Sequence, residues 1–159
     1  MLFPRIIPCL LIRNKGLVKT IKFKNDKYIG DPLNAVKIFN EKEADELIVL
    51  DIDASSLNKK PNFKMIENLA MECQMPLCYG GGIKNKDDAI KILELGVEKI
   101  TLSSSAINNP LLISEISKIT GKQSVVVVLD VKKRNFSKKY DIYTKNGKKK
   151  TNINIIEFV

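Results

Sequence analysis

Residues 77–84, LCYGGGIK, join an apolar segment of strand length to a charged segment with helical spacing at 85–95. Three consecutive glycines are costly here, because glycine loses more conformational freedom on folding than any other residue. They permit either a tight turn or the close approach of backbone N–H groups to an anion at the start of a helix. The stretch therefore predicts a strand, a turn and a helix, with the turn as a candidate anion site.

The same unit of strand and helix recurs on both sides of this stretch. Predicted strands occupy residues 5–12, 46–52, 77–79, 99–103 and 124–131. Predicted helices occupy residues 32–42, 61–72, 85–95 and 110–119, and residues 17–23 alternate like a hairpin strand. We expect Asp31 to cap the first helix, with Pro32 in its first turn. Strands that are apolar on both faces and alternate with amphipathic helices are typical of a parallel sheet covered by helices.

A weak internal repeat extends this pattern. Residues 35–38 and 45–48 are echoed by residues 89–92 and 98–101, a spacing of about 54 residues or two βα units. Such a duplication suits a (β/α)8 barrel built from βαβα blocks. Because the sequence holds only about five βα units, we expect an α/β fold of the TIM-barrel family that is an incomplete barrel. Residues 1–159 are expected to form one domain, the N-terminal portion of such a barrel.

Length and composition are those of a single soluble globular domain. The chain has 159 residues, of which 44% are hydrophobic and 28% are charged. No apolar run approaches the roughly 20 residues that span a bilayer. The apolar start is interrupted by Arg5 and Pro8, so we interpret it as a strand rather than a signal peptide and expect a cytoplasmic protein. Cys9, Cys73 and Cys78 are scattered, and we expect them to be buried free thiols.

The sequence contains no histidine. This excludes Ser-His and Cys-His nucleophile pairs and most zinc sites. Acid–base chemistry must therefore depend on Asp, Glu, Lys, Tyr or Cys. We expect neither a metal nor a cofactor.

Positive charge is concentrated in one segment. Residues 131–150 hold nine Lys or Arg and one Asp, and so contribute +8 of the net charge of +9. We expect a basic hairpin or loop here, and most such runs are solvated surface. Nucleic-acid binding ranks last among the functions considered, because few aromatic residues are interleaved and no nucleic-acid motif is present.

The carboxyl ends of the predicted strands carry the candidate functional residues. In a barrel these ends form the active-site face. Small side chains and free N–H groups on neighbouring loops, here residues 80–82 and 103–105, can form a phosphate site. A carboxylate at a strand end can act in acid–base chemistry, pair with a cation, or merely cap a loop. The candidates at these ends are Asp51, Asp53, Gly81, Gly82, Ser103, Ser104 and Asp130.

Three charged residues start three different strands. Arg5, Glu46 and Lys99 lie at the opposite ends of the strands from the candidate site. In a barrel these three side chains would converge around the axis with alternating charge signs. The resulting ring of ion pairs would have either a structural role or the role of a gate.

Several motifs together carry a family resemblance. They are RIIPCL, GLVKT, the GDP before the first helix, DELIVLDIDAS, GGGI, EKITLSSSAINNP and VVVVLDVKK. With these motifs the chain resembles the cyclase subunit of imidazole glycerol phosphate synthase, a (β/α)8 barrel of histidine biosynthesis. The resemblance runs along essentially the whole sequence.

The resemblance implies an activity, a partner and a set of roles. Such a cyclase receives ammonia from a glutamine amidotransferase docked on the amino-terminal face of the barrel, and Arg5, Glu46 and Lys99 match its ammonia gate. It acts on a bis-phosphorylated ribonucleotide through two aspartates, at the ends of the first and fifth strands. Asp130 matches the fifth-strand aspartate, and Lys19 matches a flexible-loop lysine near the substrate.

The remaining matches concern the substrate's phosphate. By the same resemblance, Gly82, Ser103 and Ser104 belong to one phosphate site, and we group Gly81 and Asp51 with them as substrate-binding candidates.

Two departures from the family pattern matter. Leu11 stands in CLLIRN where the family has CLD, and leucine cannot transfer a proton. The strands that would carry the second phosphate site are missing from the sequence. We therefore expect this chain alone to be inactive as a cyclase. The pattern also resembles a paralogous branch that pairs with its own amidotransferase and is associated with amidino-sugar formation in surface polysaccharides.

A second hypothesis is a non-catalytic one. A partial barrel with five strands would leave an open edge and an uncovered core, so it is expected to associate with itself or with a separate second half.

Overall fold

The computed structural model describes residues 4–134 and 139–158. Within these ranges one sheet contains seven strands: β1 (Cys9–Arg13), β2 (Gly16–Ile21), β3 (Lys24–Gly30), β4 (Leu47–Asp51), β5 (Leu77–Gly80), β6 (Lys99–Leu102) and β7 (Val125–Val127). Their order in the sheet is β3-β2-β1-β4-β5-β6-β7. The pairs β1–β4, β4–β5, β5–β6 and β6–β7 are parallel, whereas β2 and β3 are antiparallel additions at one edge.

Helices connect the parallel strands. They are α1 (Pro32–Glu41), α2 (Phe63–Glu72), α3 (Lys86–Glu94), α4 (Ser104–Asn108) and α5 (Leu111–Thr120), with a 3-10 turn at Lys122–Ser124 and a short α6 (Ile155–Phe158). The predicted α/β fold with about five βα units, an incomplete barrel of the TIM type, is thus confirmed. None of the helices within the described ranges has the length and apolarity that crossing a bilayer requires.

Local chemistry explains where the helices begin. The Asp31 carboxylate accepts hydrogen bonds from the N–H groups of Leu33 and Asn34, and Pro32 opens α1, as the sequence predicted. Asn62 and Asn85 cap α2 and α3 in the same way.

The core lies between the sheet and the helices. In β4, Leu47 and Val49 are fully buried against the helices, whereas Ile48 and Leu50 point to the other face of the sheet and are only partly buried. The other fully buried core side chains include Ile12, Val36, Ile66, Ile92 and Ile100. We call the second face, with Ile48 and Leu50, the inner face, since it would line the axis of a barrel.

The prediction of one continuous strand over residues 124–131 was wrong. After β7 the Val128 N–H still bonds to the carbonyl of Leu102, at 2.9 Å, but the chain then leaves the sheet. A separate antiparallel sheet follows, with β8 (Asp130–Lys133), β9 (Tyr140–Thr144) and β10 (Lys149–Lys150) in the order β10-β9-β8. Asp130 therefore begins a strand instead of ending one.

This second sheet occupies the basic segment 131–150, of which residues 135–138 lie outside the described part of the chain. Its Asp141 carboxylate pairs with Arg134 and Lys150. Sequence reasoning also missed β3 and α4.

The expectation that all three cysteines are buried was wrong for Cys9 and Cys73. All three are free thiols, but only Cys78 is buried, whereas Cys73 is partly exposed and Cys9 is exposed. Register does not explain the difference between Cys9 and Cys78, because the two lie on either side of Ile48 in the same row of the sheet.

Candidate functional site

A cleft opens at the carboxyl ends of β4, β5 and β6. Parallel pairing brings these ends together, because Leu50 lies opposite Gly80 and Gly80 opposite Thr101. The sequence candidates among the lining residues are Asp51, Gly81, Gly82, Ser103, Ser104 and Asp130. Residues far apart in the sequence thus share one site.

The glycines after β5 are required by close contacts. Gly81 has a φ of 126°, and a Cβ atom there would lie 2.5 Å from the Asp51 carbonyl oxygen. Gly82 has a φ of 75°, and a Cβ atom there would lie 2.9 Å from the carbonyl oxygen of Lys59. Both conformation and space exclude a side chain. The turn is therefore packed against the loop that follows β4, and one edge of it still faces the cleft.

Asp51 organises that neighbouring loop. Its Oδ1 atom accepts hydrogen bonds from the N–H groups of Asp53 and Ala54, both at 3.0 Å. Burial nevertheless raises the pKa of the Asp51 carboxyl above its usual range, since desolvation outweighs these two hydrogen bonds. The Asp53 carboxylate instead forms an ion pair with Arg13, with 3.0 Å between Asp53 Oδ1 and Arg13 Nε.

Ser103 and Ser104 lie where β6 ends and α4 begins. The Ser104 Oγ atom accepts a hydrogen bond from the Lys145 N–H at 3.0 Å, which ties the turn between β9 and β10 to this rim of the cleft. Both serines are partly exposed and border the cleft.

Asp130 lies on the same cleft, below the turn between β9 and β10. Burial raises the pKa of its carboxyl, while a hydrogen bond to the backbone of Gly147 and the charge of Lys132 oppose that rise. A carboxyl group with a raised pKa can both donate and accept a proton closer to neutral pH than a solvated one.

Lys19 is not brought into this cleft. It is exposed on β2 and lines a separate groove together with Leu11. Its predicted role near the substrate stays a prediction.

Arg5, Glu46 and Lys99 come together at the opposite ends of the strands. Glu46 Oε2 lies 2.6 Å from Lys99 Nζ and 3.6 Å from an Arg5 guanidinium nitrogen. Glu46 is buried, whereas the Arg5 side chain is 64% exposed, so the pair with Lys99 is the stronger of the two. The cluster carries a net charge of +1.

Sequence reasoning missed the contribution of the turn between β9 and β10. Asn146 lines the cleft, and Gly147 contacts Asp130. The Asn-Gly pair does signal a hairpin turn. No local signal places that turn over a cleft formed by residues from the first sheet.

The chain matches the model of a family described as histidine biosynthesis protein over residues 5–159. A Vibrio vulnificus protein provisionally named imidazole glycerol phosphate synthase subunit hisF3 is 60% identical to it, over 100% of this chain and 61% of that protein. A Pseudomonas aeruginosa protein with the provisional name subunit hisF2 is 53% identical, over 90% of this chain and 57% of that protein. The imidazole glycerol phosphate synthase subunit HisF of Lactococcus lactis strain IL1403 is 41% identical, over 99% of this chain and 61% of that protein. The chain thus spans about three fifths of the length of these curated relatives.

The packing of Gly81 generates a first prediction. Gly81→Ala should destabilise the fold by about 1–3 kcal/mol, because the new methyl group would collide with the backbone of Asp51. Gly30→Ala is the matched control, since Gly30 has a similar φ of 148° but no atom within 4 Å of the position that its new methyl group would take. Urea unfolding followed by circular dichroism compares the two. Equal losses for both variants would contradict the steric argument.

The environment of Asp51 generates a second prediction, on pH dependence. Because burial raises its pKa in the folded state, the unfolded state releases this proton first, and Asp51 costs stability as the pH rises through the folded-state pKa. Asp51→Asn keeps the accepting oxygen and removes the charge. Its free energy of unfolding relative to the unsubstituted chain should therefore increase between pH 4 and pH 7, as measured by urea titrations. Asp87→Asn, in the exposed first turn of α3, should show no such increase, because a carboxylate is favoured at a helix N-terminus.

Proposed function

The chain belongs to the histidine biosynthesis protein family, and from this membership we propose that it is the ammonia-using, cyclase-type part of an imidazole glycerol phosphate synthase subunit. The cleft would bind a phosphorylated small molecule, and a glutamine amidotransferase would dock at the opposite end of the strands. The relatives' names and the arrangement of the two charged ends both support this proposal.

One observation carries the proposal. The strands β4 and β6 each bear a charged group at the amino end, Glu46 and Lys99, and a cleft at the carboxyl end. A reaction that receives a small nucleophile at one end and holds its substrate at the other requires such an arrangement. A simple binding module would need only the cleft.

The substrate's phosphate would lie between two neighbouring turns. Gly81 and Gly82 approach from the turn after β5, and Ser103 and Ser104 approach from the end of β6. Small residues leave room for an anion, and hydroxyl groups can donate hydrogen bonds to it.

Asp130 is the proposed acid–base residue of the cleft. Its half-buried position and raised pKa suit proton transfer. We assign it no carboxylate partner on β1, because Leu11 occupies the matching position. Asp51 is held by backbone N–H groups and is assigned a loop-organising role that shapes the substrate site.

The loss of an aspartate at Leu11 favours the paralogous branch for this chain. Relatives whose subunit names are provisional are 46% to 61% identical, whereas those with unqualified subunit names, such as the Lactococcus lactis subunit, are 37% to 41% identical. We propose an amidotransferase-paired reaction on a related phosphorylated substrate, as in amidino-sugar formation, and no cyclase turnover by this chain alone.

Docking of the glutaminase yields a prediction with a matched control. The chain should bind a glutamine amidotransferase subunit from the same organism, and Arg5→Glu should weaken binding about tenfold, because it sets a second carboxylate beside Glu46 at the docking end. Lys86→Glu changes the charge equally, but at the exposed start of α3, which follows the carboxyl end of β5. Isothermal titration calorimetry measures both. Absence of binding by the unsubstituted chain, or equal effects of the two substitutions, would contradict the proposed docking face.

A second candidate function is supported by the inner face. Ile48 and Leu50 are only partly buried there, and the β7 edge of the described sheet has no neighbouring strand. Apolar surface and strand edges of this kind favour pairing with a second partial barrel.

This second candidate predicts a dimer in solution. Light scattering after size exclusion should give about twice the mass of 17.9 kDa for the chain, and Leu50→Glu should return it to a monomer, since a carboxylate on the inner face opposes burial. Ile38→Glu, on the exposed face of α1, is the control. A folded monomer across micromolar concentrations would contradict self-association.

A further inference from the structure

Three contacts converge on one glycine in the turn between β9 and β10. Gly147 has a φ of 67°, and a Cβ atom there would lie 2.6 Å from Cγ of Phe23, which belongs to the turn between β2 and β3. Its carbonyl oxygen accepts a hydrogen bond from Lys132 Nζ at 2.5 Å. Its backbone also lies close enough to the Asp130 carboxyl to oppose the rise in the pKa of that group. The tips of two hairpins, one from each sheet, therefore meet beside the candidate acid–base residue.

Aromatic rings fix the position of the Lys132 ammonium group. Its Nζ atom lies 4.2 Å from the centre of the Tyr143 ring and 5.5 Å from the centre of the Phe23 ring. Both distances are within the range of a cation–π attraction. A lysine side chain normally has many rotamers, so two rings and a carbonyl acceptor restrict this one unusually well.

Asp130 and Asp141 are the carboxylates on the face of β8 and β9 that carries Lys132. Asp141 lies opposite Lys132 in the pairing of β8 with β9, but its carboxylate is bonded to Arg134 and Lys150. Asp130 lies two residues before Lys132 on the same face of β8, and the charge of Lys132 acts on its carboxyl. Asp51, whose carboxylate is held by two backbone N–H groups, also lines the cleft.

We propose that Lys132 is a positioning residue for Asp130. Held between the rings of Phe23 and Tyr143, its ammonium group fixes the Gly147 backbone, and that backbone in turn orients the Asp130 carboxyl toward the cleft. The catalytic meaning of this assignment rests on the function proposed above, in which Asp130 transfers the proton. The positioning itself is a property of the free chain.

The neighbouring lysine shows why the assignment is specific. Lys133 points to the opposite face of β8, where it pairs with Tyr140 and is exposed. Like Lys132, it is positively charged, lies on β8 and is only a few residues from Asp130. It makes neither the contact with Gly147 nor the contact with the two rings.

The test measures the pKa of Asp130 directly by carbon NMR of the free chain with labelled aspartate carboxyl groups. Lys132→Met should raise this pKa, because it removes a nearby positive charge and the bond that holds Gly147. Lys132→Arg should bring it back toward the original value, and Lys133→Met should leave it unchanged. An unchanged pKa in Lys132→Met, or an equal rise in Lys133→Met, would overturn the proposal.

A second measurement tests the geometry without any titration. The ε-methylene protons of Lys132 should resonate upfield of their usual position, because they lie over aromatic rings. Tyr143→Leu and Phe23→Leu should each reduce that shift, with the larger reduction for the nearer ring of Tyr143. An ordinary chemical shift for these protons in the unsubstituted chain would overturn the proposal. Nitrogen–proton correlation spectra establish that each variant is folded. Neither measurement needs a glutaminase or a substrate, so failure of the proposed function would be seen separately, as a lack of glutaminase binding.

Discussion

The parallel register of β4, β5 and β6 is the constraint on which both ends of the sheet depend. It positions both the charged cluster at the amino ends of these strands and the cleft at their carboxyl ends. It sets Ile48 opposite Cys78 and Cys78 opposite Lys99, and two residues further along Leu50 opposite Gly80 and Gly80 opposite Thr101. A shift of one residue in any pair would exchange the inner face for the core face. The register therefore brings Glu46 to Lys99 at one end and the glycine turn to the serine turn at the other.

Close packing at the carboxyl ends turns this register into a shaped site. The turn after β5 lies against the backbone of Asp51 because Gly81 has no side chain, and Asp51 in turn holds its own loop through two backbone N–H groups. The rim on the other side is completed from the second sheet, where the Lys145 N–H reaches Ser104. The cleft is thus built from contacts between loops, and its floor from the ends of strands.

Much of the fold could be predicted from the sequence, because its signals are local. The capping of α1 by Asp31 and the five apolar segments need only a few neighbouring residues to be recognised. The split after β7 could not be predicted in this way. The run of valines has high strand propensity throughout, yet Asp130 finds its strand partner in Tyr143, beyond a segment of polar residues. Likewise, the contact of Ser104 with Lys145 joins residues 41 positions apart.

The inner-face residues between the charged cluster and the cleft have a consequence for the proposed reaction. Ile48, Leu50 and Cys78 present apolar or weakly polar groups along the inner face, and the Cys78 thiol is already bonded to Thr101 at 3.0 Å. In a closed barrel, an ammonium ion crossing such a layer would lose its water without a partner for its charge, at a cost of several kcal/mol, whereas neutral ammonia would lose little. The net charge of +1 on the cluster of Arg5, Glu46 and Lys99 at the entrance would also repel a cation. Under the proposed function, the nucleophile that reaches the Asp130 cleft would therefore be neutral ammonia, which carries the lone pair that the reaction needs.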